Sequence, residues 1–198
     1  MKIFAVTNAY SPVPESFRSS RPGVCWYEIP DSAISRSGNP LFIPDPEQEY
    51  VAFPSAAWRI GKLGKSVAPR FAMRYIDAAT IALAVVNLTL LRSLRKAGLP
   101  WTAAVAFDRS CIIGNFSDIV AFKDCADFRI THAGEEYIYS LRDISVNIED
   151  SLAAISALNT IKTGDIILGA LAPAMSLRVN APLSVTAGDR HILDINVK

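Results

Sequence analysis

Thr80-Ile81-Ala82-Leu83-Ala84-Val85-Val86 is β-branched at both ends and apolar after its first residue, and its reading decides the fold. Seven such residues without helical periodicity predict a strand buried on both faces, because a half-exposed strand would alternate with polar side chains. Asn87 follows as a helix N-cap. Leu90, Leu91 and Leu94 then fall on one face, Arg92, Arg95 and Lys96 lie toward the C-terminal end, and Gly98 with Pro100 stops the helix. The apolar stretch over residues 78–91 is broken by Thr80, Asn87 and Thr89 and falls short of the ~20 residues a membrane span needs. It is core.

Outward toward the N-terminus, residues 9–54 are dense in proline, with Pro12, Pro14, Pro22, Pro30, Pro40, Pro44, Pro46 and Pro54. Proline fixes φ and lacks a backbone donor, so this third is expected to form loops and short edge strands. Lys2-Ile3-Phe4-Ala5-Val6 is too short an apolar run for a signal-peptide core and predicts a first strand. Ala56-Ala57-Trp58-Arg59-Ile60 predicts another, with Gly61-Lys62-Leu63-Gly64-Lys65 as the turn after it.

Toward the C-terminus, Asn147 caps a second predicted helix, with Ile148, Leu152 and Ile155 at helical spacing and Glu149 and Asp150 in the first turn. Thr163-Gly164-Asp165 precedes Ile166-Ile167-Leu168, and Ala187-Gly188-Asp189 precedes Ile192-Leu193-Asp194-Ile195. Both pairs predict hairpins. The class expected is α+β, mostly β, with few short helices.

Composition narrows the partners. With 20 basic against 19 acidic side chains and no basic run, the chain offers no electrostatic footprint for nucleic acid or an anionic membrane, and neither is expected. Cys25, Cys111 and Cys125 are odd in number and far apart, which predicts reduced, structural thiols and a cytoplasmic location.

Several segments together resemble the fumarylacetoacetate hydrolase family. The opening strand with Tyr10, Pro40-Leu41-Phe42-Ile43-Pro44, Glu49-Tyr50, Ile60-Gly61-Lys62, Arg74-Tyr75-Ile76-Asp77 and Pro100-Trp101 occur in family order. So do Ala106-Phe107-Asp108, Gly114-Asn115-Phe116 and Gly164-Asp165-Ile166-Ile167. The resemblance implies one domain over residues 1–198: a Pro-rich N-terminal part over residues 1–54, then a β-roll core of mixed sheets over residues 55–198. It also implies a homodimer and a divalent metal, commonly Mg²⁺, assisting cleavage, isomerisation or decarboxylation of keto acids.

Carried over position by position, the family's polar residues fall on apolar ones. Its two strand glutamates fall on Val51 and Phe53, and its aspartate, arginine and glutamine fall on Ala84, Leu88 and Leu91. A lysine falls on Val105 and the histidine of the N-terminal turn on Val13. No metal ligand is retained, and no cofactor is expected. Clustered buried carboxylates cost several kcal/mol each unless a cation neutralises them, so joint replacement by apolar groups is what loss of a metal site predicts.

The polar residues still in reach are few. Asp108 with Arg109 reads as a structural turn or as a ligand contact. His132, beside the turn Ala133-Gly134-Glu135, is expected at the surface, and is a weaker candidate for acid/base work with Glu135-Glu136. Asp143, Glu149 and Asp150 read as a helix-start cluster, with a carboxylate metal site as the lesser alternative. Trp26, Tyr27, Trp58 and Trp101 are expected as core or dimer-contact aromatics. Two functions follow as expectations: a non-catalytic dimer, partner or apolar-ligand binder using Val13, Val51, Phe53, Ala84, Leu88, Leu91, Val105 and Asp108; or an enzyme on a small keto acid that employs Asp108, Arg109 or His132.

Overall fold

The computed structural model describes residues 1–7, 23–123, 127–144 and 146–198. Val13, Tyr10 and Cys125 lie outside these residues. The chain runs β1 (Lys2–Thr7), β2 (Cys25–Pro30), β3 (Ile34–Arg36), β4 (Tyr50–Ile60), β5 (Ile76–Asn87), α1 (Leu88–Lys96), α2 (Thr102–Val105), β6 (Cys111–Ile113) and α3 (Ile119–Lys123). It continues with β7 (Asp127–His132), β8 (Glu135–Ser140), α4 (Ile148–Leu158), β9 (Ile166–Leu168), β10 (Met175–Ser176), β11 (Ala181–Ala187) and β12 (Arg190–Val197). Among the described residues no helix is long and apolar enough to cross a membrane.

The larger sheet has the order β2-β1-β9-β4-β5-β6-β3, with β10 beside β4. It is mixed, since β1 pairs β9 and β3 pairs β6 in parallel while the other pairs are antiparallel. Connectivity forces this sheet to curl. Its outermost strands, β2 and β3, are joined by the single turn Asp31–Ala33. Laid flat, the sheet would be about 29 Å across at about 4.8 Å per interstrand step, whereas four Cα–Cα steps of about 3.8 Å reach only about 15 Å. The edges must therefore approach each other, and the sheet rolls up.

Alternation along each strand then gives the roll two different faces. Ile3, Ala5, Ile29, Ala33, Ala57, Ala82, Ala84, Cys111, Ile166 and Leu168 form the inner cluster, which draws on strands from both edges of the sheet. Many of these are alanines, and small side chains let the roll close tightly. The opposite face carries Phe4, Trp58, Ile81, Leu83, Val85 and Ile167. It packs against the second sheet, β12-β11-β7-β8, through Phe128, Ile130, Leu183, Val185 and Ile195, and against Leu152 and Ile155 of α4.

The decisive stretch is a strand as expected, and β5 is buried along almost all its length. Asn87 accepts from Leu90 N–H at 2.9 Å, and Asn147 accepts from Asp150 N–H at 2.7 Å, so both predicted caps form. Two expectations need correction. The strand expected over residues 56–60 begins at Tyr50, so β4 runs on through Pro54. Proline is tolerated there because its nitrogen points away from β5, to the side where the strand's partner changes from β10 to β9. Its carbonyl accepts from Ala172 N–H at 2.7 Å. The first Gly-Asp turn does not make a hairpin: β9 inserts between β1 and β4. The second does, joining β11 to β12.

Candidate functional site

β4 turns Val51 and Phe53 toward the inside of the roll, two residues apart on one face. β5 lies antiparallel beside it and sets Val86 opposite Val51 and Ala84 opposite Phe53. Asn87 ends the strand and starts α1, which brings Leu88 and Leu91 back against Val51 and Val86, and α2 adds Ala104 and Val105. Val51, Phe53, Leu88, Leu91 and Val105 thus meet in one apolar cluster, with Ala84 in the adjoining inner cluster. Fully burying a side chain of this size contributes roughly 1.5–3 kcal/mol.

Tyr27 and Trp101 pack against this cluster. Their rings meet edge to face at 5.3 Å, and the Arg95 guanidinium sits 5.6 Å from the Trp101 centroid. Burial holds the Tyr27 phenol protonated well above its ordinary range; Cys111 adds to this and Arg95 opposes it. Burial likewise pushes the Cys111 thiol up to about 12, which makes it a packing group and not a nucleophile. The sequence alone marks Tyr27 and Trp101 only as core or dimer-contact aromatics. Their place in the site follows from the pairing of β1 with β2 and from the loop after α1, which local patterns do not encode.

The polar candidates are not brought together. Asp108 is exposed and outside the apolar cluster. Arg109, at φ 63°, donates to the Pro40 carbonyl at 2.9 Å and lies over Phe42. His132 corrects the expectation of a surface position, since it is 2% exposed. Its Nδ1 lies 3.0 Å from Pro182 O, and its Nε2 accepts from Arg178 N–H at 2.8 Å. It sits on β7 of the second sheet, with both ring nitrogens occupied and burial lowering its pKa. Asp143 ends a 3-10 turn, and Glu149 and Asp150 occupy the first turn of α4, where they favour the helix dipole.

A divalent metal requires oxygen ligands in octahedral array. Among the described residues, no group of three His, Cys, Asp or Glu side chains is placed to hold one. Every buried side-chain nitrogen and oxygen among them has a hydrogen-bond partner, so no orphaned ligand points into the cluster. Val, Phe and Ala do not fit a metal.

Comparison with known proteins agrees with this architecture. The chain matches the mitochondrial oxaloacetate decarboxylase of Dictyostelium discoideum with 27% identity over 55% of its own length and 51% of the relative. It matches a mitochondrial oxaloacetate tautomerase of Caenorhabditis elegans with 29% identity over 62% of its length and 58% of the relative. These matches thus span only a little over half of each curated relative. A fumarylacetoacetate hydrolase family protein of Yersinia pestis superposes with a TM-score of 0.87 at 23% identity, covering 100% of this chain and 92% of the other. The fumarylpyruvate hydrolase of Pseudomonas aeruginosa, solved in complex with Mn²⁺ and pyruvate, superposes at 0.86 with 16% identity, covering 100% and 89%. The family model for the fumarylacetoacetate hydrolase C-terminal region matches residues 2–195, and this chain therefore belongs to that family.

Proposed function

We propose that this protein is a family member whose metal-assisted chemistry has been exchanged for an apolar cleft. In this reading it acts without catalysis, as a homodimer, as a partner of an active relative, or as the binder of an apolar ligand. One observation carries the reading: the positions where the family resemblance puts metal and substrate ligands hold Val51, Phe53, Leu88, Leu91 and Val105, and these touch one another in a single cluster. A lone apolar replacement would leave charged neighbours without a counter-ion. The joint replacement leaves a self-consistent hydrophobic site in which no buried charge has to be compensated.

The remaining groups suit this reading. A general base must reach its proton within hydrogen-bond distance. His132 has both nitrogens engaged by the backbone, and Asp108 faces solvent. The competing reading, turnover of a small keto acid with a non-standard site, draws on the relatives named for oxaloacetate chemistry. Assaying the purified chain with oxaloacetate and acylpyruvates, with and without Mg²⁺ or Mn²⁺, separates the two. The expected result is no rate above the buffer reaction. Turnover that disappears in Asp108→Ala would replace our reading with the competing one.

A further inference from the structure

β10 lies along β4 opposite Val51 and Ala52, and the next residue, Leu177, donates its N–H to Tyr50 O at 3.0 Å. Arg178 then breaks the pattern. Its backbone N–H goes to a side chain, Nε2 of His132, while Nδ1 on the other side of the ring is held by Pro182 O. An amide N–H only donates and a carbonyl oxygen only accepts, so the imidazole here is neutral, with its proton on Nδ1 and a lone pair on Nε2. One ring thus ties residues 178 and 182. Between them Asn180 turns through φ 62° and donates its N–H to Val197 O at 2.8 Å.

Protonating Nε2 would set two donors against each other and leave the Arg178 amide without an acceptor. Two charged groups face the ring. Glu135 comes from β8, in register opposite His132, and the Arg178 guanidinium comes from the tied segment itself. They pair with each other at 2.9 Å, and the Tyr137 hydroxyl also donates to Glu135. The Glu135 carboxylate favours an imidazolium and the Arg178 guanidinium opposes it, while burial of the ring, the largest effect, holds the net shift downward.

We propose that His132 is a proton-sensitive latch: neutral, it clamps residues 175–180 against the stretch of β4 that carries Val51, and protonated, it releases that segment from the edge of the sheet. The latch stands whether the cleft is catalytic or not. The sign follows from linkage. In the released segment the ring regains its ordinary value of 6.5, while burial lowers it in the clamped state. The clamp is therefore at full strength above that ordinary value and weakens as pH falls below it.

Amide hydrogen exchange by NMR, expressed as protection factors from about pH 7.5 down to about pH 5, tests this. Protection at Leu177 and Arg178 is expected to fall by up to about tenfold per pH unit below the ring's ordinary value, while β5 amides such as Leu83 stay level. Ring nitrogen shifts should place the lone pair on Nε2 at neutral pH. His132→Gln can accept from Arg178 through its oxygen and donate to Pro182 through its nitrogen without titrating, so it should make protection independent of pH. Should that variant not fold, the native chain's exchange and ring shifts decide alone. Level protection at Leu177 and Arg178 in the native chain, a proton on Nε2, or an unchanged pH profile in His132→Gln would overturn the latch.

Discussion

Val51 is 4% exposed and Ala84 is 1% exposed, and that burial decides which side chains these positions tolerate. A carboxylate at either position would be desolvated, at a cost of several kcal/mol per ion unless a cation sits beside it. The variant Val51→Glu with Phe53→Glu and Ala84→Asp is therefore expected to melt well below the native chain in chelator and to recover stability when Mn²⁺ is added. Calorimetric scans with and without metal check both arms. At this scale the sequence was legible wherever the chemistry is local. Asn87 and Asn147 announce themselves as caps, because a side-chain oxygen reaches an amide three residues on in the same turn. His132 was misread because the adjoining Gly134 turn suggested a surface tip. The better signal was the alternation Phe128, Ile130, His132, which buries every second residue of β7 and turns the ring inward.

Among the elements, β9 shows what a local pattern can and cannot say. The turn over residues 163–165 was legible, and the strand after it was too. Its partners were not, since a Gly-Asp turn precedes hairpins and crossovers alike. What fixes β9 beside β1 is Asp165, 1% exposed, whose carboxylate accepts from Lys2 N–H at 2.8 Å and from Lys162 N–H at 2.9 Å. One side chain thus joins the first strand to the turn before β9, across most of the sequence. Asp165→Ala leaves two amides without acceptors at a cost of about 1–3 kcal/mol each, so urea unfolding should show a loss of at least about 2 kcal/mol. A loss below about 0.5 kcal/mol would mean that water replaces both bonds. Pro54 teaches the converse. Proline marked a strand boundary in the sequence, yet its missing donor coincides with the gap where β4 exchanges one neighbour for another.

For the molecule as a whole, the roll is a consequence of connectivity: a three-residue turn links the two edges of the large sheet, and curling follows from chain length alone. No composition or periodicity carries that fact. The family order of the short motifs did, which is why the architecture was legible while the contributions of Tyr27 and Trp101 to the site were not. The same roll gathers Val51, Phe53, Leu88, Leu91 and Val105 in one apolar cluster, and our proposal is that this cluster replaces the metal ligands the family resemblance implies. Isothermal titration of the purified native chain with Mg²⁺ and with Mn²⁺ at neutral pH tests that replacement most directly. Heats no larger than dilution are the result predicted; a saturable isotherm at one ion per chain would contradict the apolar-cleft account.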